Sequence, residues 1–145
     1  MHAHAAAIVA AARGCVGTRF RPCGRLPGVG LDCVGVVLVA AAAAGVRFEI
    51  PGYRLGGDHG ARLDAELAGQ GCGAVVGAAG DVLVMVPAMG RRHLGVLDPG
   101  RLDHAHAGLG RVVEGPLDPG WVAAGAWRLP YCNVVIPAFA GMTGR

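Results

Sequence analysis

The chain has 145 residues with 13 Lys+Arg against 10 Asp+Glu, a formal net charge of +3, and every basic residue is arginine. It contains no lysine and no serine, which excludes P-loop and Schiff-base lysine chemistry and every hydrolase built on a serine nucleophile. The arginines are scattered, which speaks against a nucleic-acid footprint, and the longest apolar run, Val34 to Val46, falls short of the roughly 18–20 residues that span a bilayer, so no membrane insertion is expected.

The length suits one domain. The N-terminus has no basic segment ahead of its apolar stretch, so no signal peptide is read and synthesis in the cytoplasm is expected. Residues 3–13 are alanine-rich and predict a short helix stopped by Gly14. Thr18 to Gly30, with two prolines and three glycines, predicts a loop of several turns. Leu31 to Gly45 predicts a buried helix. Its alanine run and terminal glycine favour helix over strand, and Asp32 is placed to cap it. Residues 46–60 predict a second loop and about 61–69 a short helix.

From Gly80 the pattern changes to strands: Asp81 to Val86, His93 to Leu97, Leu102 to Ala107, Arg111 to Glu114 and Trp121 to Leu129, separated by Pro- and Gly-containing turns. Helices first and an antiparallel meander second predict an α+β domain over 1–130. Residues 131–145 fit neither pattern and are expected to form a tail outside the domain.

With serine absent, the nucleophiles left are the carboxylates, two threonines and five cysteines at 15, 23, 33, 72 and 132. The cysteine spacings contain no CxxC, so a zinc site is not expected. His-x-His occurs at positions 2/4 and 104/106, each without further ligands nearby. Cys33 opens the predicted buried helix, where unpaired N–H groups and the helix dipole favour a thiolate; a core cysteine is the competing reading. Histidine is the natural proton acceptor for a thiol. If Pro99-Gly100 is a two-residue hairpin loop, His93 lies opposite His106 and diagonal to His104, and all three share one face. A three-residue loop sends His104 and His106 to the other face. His2, His4 and His59 look incidental.

These residues resemble a family. Arg13 to Arg21 followed by Gly30-Leu-Asp-Cys-Val-Gly-Val-Val37 is similar to the N-terminal half of the NlpC-type cell-wall peptidases, in which a glycine-rich loop precedes an Asp-Cys-x-Gly motif. Gly80 to Val86, His93 to Val96 and Asp103 to Ala105 resemble the strands that follow. Gly108 to Glu114 and Ala126 to Pro130 resemble the phage and gene-transfer-agent branch.

The resemblance implies a papain-like α+β fold, with the nucleophile at a helix N-terminus packed on a C-terminal antiparallel sheet. It also implies a cysteine peptidase that cleaves peptidoglycan stem peptides, typically after D-glutamate, through a thioester, without cofactor or metal. Cys33 matches the nucleophile, His93 the general base and His104 the third residue, with His106 as the alternative third residue. Asp32 and Phe20 match the positions that support the site and its oxyanion. The sequence departs from the family at Phe20, where a tyrosine is frequent, and at Val34, where serine is common. Phage-like tail proteins are the implied partners and a virion or tail particle at the host wall the implied place of action. A structural tail-assembly protein with the same fold and little activity is the alternative; an acyltransferase or thioesterase is weaker, because nothing marks a lipid or coenzyme site.

Overall fold

The computed structural model of the chain describes residues 4–47, 60–88, 91–116 and 120–130. The expected tail at 131–145, His2, His59 and most of the loop expected at 46–60 lie outside the described residues.

Helix α1 (Ala5–Cys15) buries Ala5, Ile8, Val9, Ala12 and Cys15, a stripe at helical spacing. It runs past Gly14: the left-handed glycine that ends this segment is Gly17, at φ 92°. The following stretch, expected as turns alone, contains a small hairpin of β1 (Arg25–Leu26) and β2 (Gly30–Leu31). Helix α2 (Cys33–Ala43) is buried on nearly all sides. A Cβ at Gly35 would run into the Gly24 carbonyl, so the glycine two residues after Cys33 lets the preceding loop lie directly on the helix. Helix α3 (Gly60–Gly69) turns Leu63 and Leu67 inward.

Strands β3 (Gly73–Val75), β4 (Val82–Val86), β5 (His93–Asp98), β6 (Arg101–His106), β7 (Arg111–Gly115) and β8 (Val122–Arg128) make one antiparallel sheet in the order β3-β8-β4-β5-β6-β7. Four of them form the expected meander. The last does not extend it: β8 crosses back and inserts between β3 and β4. Arg128 holds it there through two bonds to the buried Asp81 carboxylate, at 2.9 and 3.0 Å. Val82, Val84, Leu94, Val96, Ala105 and Val112 point to the helices and join the main core with Ile8, Val36 and Val37. Alternate residues Leu83, Met85 and Leu102 form a second cluster with Ala126 on the other face, against which Trp121 packs.

Two long-range links set the helices on this sheet. The segment after α1 runs along β7: Gly17 donates to the Val112 carbonyl, Val112 to that of Thr18 and Phe20 to that of Gly110, at 2.8–2.9 Å. Arg13 grips Asp98 with two bonds at 2.5–2.6 Å.

Candidate active site

Each site residue is delivered by local sequence chemistry. Asp32 is extended and caps α2, accepting from the Gly35 N–H at 2.8 Å. The same carboxylate accepts from Arg25 at 2.7 Å and from the Cys23 N–H at 2.8 Å. It thereby ties the start of β1 to the helix start, and Cys33 follows at the first position of the helix. Cys33 has no exposed surface. The thiolate expected there is not the resting form: burial pushes the thiol up to about 12, outweighing the N–H groups of Leu94, Val34 and Cys33 that face it. The helix terminus softens the desolvation cost without cancelling it.

The hairpin decides where the histidines fall. Asp98 pairs with Arg101, Leu97 with Leu102 and Val96 with Asp103, so Pro99-Gly100 is a two-residue loop. Continued outward, that register puts His93, His104 and His106 on the face that carries Leu102 and Trp121, with His93, at the strand end, also lining the cavity that Cys33 lines. The rings are close, with centroids 5.0 Å apart for His93 and His104 and 5.6 Å for His104 and His106. His93 Nε2 lies 2.8 Å from His104 Nδ1. His106 makes no such bond to His93; its Nδ1 accepts from the Leu109 N–H at 3.1 Å. Gly95, directly across from His104 in this register, leaves the room: a Cβ there would sit 3.1 Å from His104 Cβ and 2.8 Å from Leu102 Cδ1.

Cys33, His93 and His106 line one cavity of about 190 Å³, together with Phe20, Arg91, Arg92 and Trp121. His93 is driven down to about 3, first by burial and then by repulsion from His104 and His106, so its imidazole is neutral at physiological pH. With Nε2 engaged by His104, Nδ1 is the ring nitrogen that this contact leaves unused. Phe20 packs on the core and walls the cavity, but it has no hydroxyl to offer an oxyanion.

Sequence reasoning missed three lining residues. Trp121 touches all three imidazoles, edge-on to His93 and His104 and stacked on His106 at 26°. Nothing in its local sequence announced this, since the contact depends on β8 crossing back to β4. Arg91 and Arg92 immediately precede His93, and their adjacency to it was the available signal.

Among the described residues, the side chains grouped closely enough to hold a metal are Asp98, Asp103 and Glu114, with oxygens within 4.8 Å of one another. They lie on the helix-facing side of the sheet, away from the imidazoles. Arg13 already occupies both oxygens of Asp98, and Arg101 bonds Glu114 at 2.7 Å, so these carboxylates read as a structural charge cluster.

The arrangement of helices before an antiparallel sheet is the papain-like α+β fold of NlpC/p60 domains. Solved structures share it. NlpC2 from Trichomonas vaginalis matches with a TM-score of 0.67 and 15% identity over 89% of this chain and 48% of that one. The peptidoglycan hydrolase RipB from Mycobacterium tuberculosis matches at 0.59 and 21%, covering 88% and 66% of the two chains. RipD from the same organism, a non-catalytic NlpC/p60 domain protein adapted to peptidoglycan binding, matches at 0.58 and 16%, covering 88% and 98%. The chain therefore spans about half the length of NlpC2. No family model and no curated protein sequence matches it. No helix among the described residues is long and apolar enough to cross a membrane.

Proposed function

We propose that this chain is a cysteine peptidase acting on peptidoglycan stem peptides, with Cys33 as nucleophile, His93 as general base and His104 as the residue that orients His93. One observation carries the reading: Cys33 and His93 line the same cavity while His93 Nε2 is bonded to His104 Nδ1 at 2.8 Å. The fold shared with RipB, a peptidoglycan hydrolase, supports the substrate class.

In this mechanism the resting pair is neutral. As Sγ attacks the peptide carbonyl carbon, its proton moves to His93 Nδ1. The Nε2 proton of the resulting imidazolium is donated to His104 Nδ1, which stabilises the charge as it forms. The carbonyl oxygen, now negative, takes the N–H of Cys33 at the helix start. The imidazolium then protonates the leaving amine, the C–N bond breaks and a thioester remains. Water, deprotonated by His93, attacks that thioester and returns the free thiol and a carboxylic acid. A thiol with so high a pKa makes proton transfer concerted with attack, rather than relying on a stored thiolate.

The fold is also that of the non-catalytic RipD, and the deep burial of Cys33 favours a second reading, a wall-binding or structural protein with little turnover. Incubation of the wild type and Cys33→Ala with purified sacculi separates them. Stem-peptide fragments released by the wild type alone are expected; release by both proteins or by neither overturns the peptidase. Association with a phage-like tail particle rests on the resemblance of residues 108–114 and 126–130. Labelling of such particles by antibody against the chain tests it.

A further inference from the structure

We propose that the face formed by residues 16–21, the β1–β2 turn and the start of β7 docks the protein on an anionic phospholipid surface. The fold brings together there arginines that the sequence keeps apart. Arg19 and Arg111 are antiparallel partners. The bonds on either side of them run from the Val112 N–H to the Thr18 carbonyl and from the Phe20 N–H to that of Gly110. Theirs is therefore the closer, non-hydrogen-bonded kind of pair, with Cα atoms about 4.5 Å apart and both side chains on one face. Like charges directly opposite each other in a sheet repel, yet both arginines are exposed without a carboxylate partner among the described residues. Arg21, exposed two residues beyond Arg19, lays its stem on the backbone of Gly30, where a Cβ would sit 2.6 Å from Arg21 Cδ. The fold supplies these three with no counter-charge. Residues 1–31 contain no Asp or Glu, Asp32 is buried and bonded to Arg25, and Glu114 lies on the helix-facing side, bonded to Arg101. Arg13, Arg25, Arg101 and Arg128 each have a carboxylate of the fold, so the complement of Arg19, Arg21 and Arg111 is an anion from outside.

Apolar side chains rim the same patch. Of the six large apolar residues that stand exposed among the described residues, Val16, Leu26, Val29 and Leu109 lie here. Their neighbours are bonded to or within the arginine segment: Gly17 donates to the Val112 carbonyl, Gly28 to Thr18 Oγ1 at 2.9 Å, and Phe20 to the Gly110 carbonyl. Guanidinium groups beside exposed aliphatic groups are the combination that holds a peripheral protein on a bilayer, where lipid phosphates take the charge and the acyl boundary takes the apolar side chains. A soluble polyanion would use the arginines and leave the leucines and valines in water. Nucleic acid would call for exposed aromatic rings on which bases stack, whereas the exposed large apolar residues here are all aliphatic. His106, the cross-strand neighbour of Arg111, lines the Cys33–His93 cavity, so docking on this face holds that cavity near the bilayer. Such docking goes beyond the peptidase reading and needs no peptidase activity.

The test sediments the full chain with vesicles of phosphatidylcholine alone and of phosphatidylcholine mixed with phosphatidylglycerol. The wild type is expected to bind the anionic vesicles about tenfold or more tightly than the neutral ones, and to be released as salt is raised. Arg19→Gln/Arg111→Gln should lose about tenfold or more on the anionic vesicles, whereas Arg62→Glu, which changes the net charge equally on α3, should lose much less. Leu26→Asn/Val29→Asn, which keeps every charge, should also weaken binding. Circular dichroism checks that each variant is folded, and the single substitutions Arg19→Gln and Arg111→Gln stand in for the pair where it is not. Equal binding to both kinds of vesicle, binding to neither, or an undiminished affinity in the arginine variants overturns the docking face. So does binding to soluble polyphosphate or to a single-stranded oligonucleotide that is as tight as binding to the vesicles and indifferent to Leu26→Asn/Val29→Asn, because the patch would then serve a soluble polyanion.

Discussion

The protonation state of Cys33 depends on a conflict between two local effects. The helix start and its N–H groups pull the thiol toward ionisation, and full burial pushes it back up to about 12. With His93 lowered to about 3, both groups are neutral over a broad span around neutral pH. Iodoacetamide at pH 6 should therefore modify the exposed Cys23 faster than Cys33, with Cys33 labelling still rising on the alkaline side; peptide mass spectrometry after timed quenching reads both rates. The imidazoles separate in the same way. His104→Ala removes the acceptor of His93 Nε2 and should lower kcat by about 10²-fold or more, within the range of positioned acid–base catalysis. His106→Ala, whose bond goes to a backbone N–H, should cost markedly less. Equal losses in steady-state assays would mean that the 2.8 Å contact does not orient His93. Cys33 was legible as a candidate from the helix start it occupies, whereas His93 and His104 were singled out from the other histidines by the resemblance to the family's strands. The state of the thiol was not legible, since burial is a property of everything packed around Cys33.

At the scale of the element, the β5–β6 hairpin does two jobs on its two faces. On the imidazole face, Gly95 makes space for His104. Gly95→Ala should push His104 from its place, lowering kcat more than it lowers thermal stability, and a variant losing both in proportion would mark Gly95 as purely structural. On the helix face, Asp103 is fully buried and neither of its oxygens receives a donor. Burial and the neighbouring Asp98 carboxylate raise it to about 7, while Arg13 holds Asp98 low. The neutral acid can give its own proton to Asp98, and the two titrate as a pair.

The sign follows from proton counting. Between about pH 4 and 7 the folded protein holds a proton on Asp103 that the unfolded chain has lost, so stability falls as pH rises through that window. Asp98 acts in the opposite sense, but its contribution is lost only below the ordinary carboxylate range. Asp103→Asn, which can still donate to Asp98, should flatten the decline of Tm between pH 5 and pH 8, and its advantage over the wild type should grow with pH. A constant offset across that range would mean that Asp103 ionises normally. Asp98-Pro-Gly100 marks the turn in the sequence, but its length of two or three residues, which sets both faces, is fixed only by the pairing of Asp98 with Arg101. The charge cluster has no such mark, because its members come from three strands and α1.

For the whole molecule, the α+β division, α2, α3 and the four-strand meander follow from patterns contained within each segment: alanine runs, alternation, and turn residues at the right places. Three features escape that kind of reading. β1 and β2 are two residues each and β3 three, too short to show a period. The placement of β8 depends on a partner far away in sequence, and a strand's own residues do not name its neighbour. Trp121 reaches the imidazoles only through that placement, so the fourth wall of the site was hidden together with the topology.

The backbone of residues 17–20, laid along β7, has a further consequence. An antiparallel sheet ends in rows of unpaired N–H and C=O groups that invite strands from other molecules. At β7 the N–H and C=O of Val112 and the carbonyl of Gly110 are already taken by the chain's own loop, and at the other end of the sheet β3 offers only three residues. The loop that leads to the cysteine thus also closes off part of the rim through which such a sheet would aggregate. Substitutions that loosen it should be felt as lost solubility as well as lost activity.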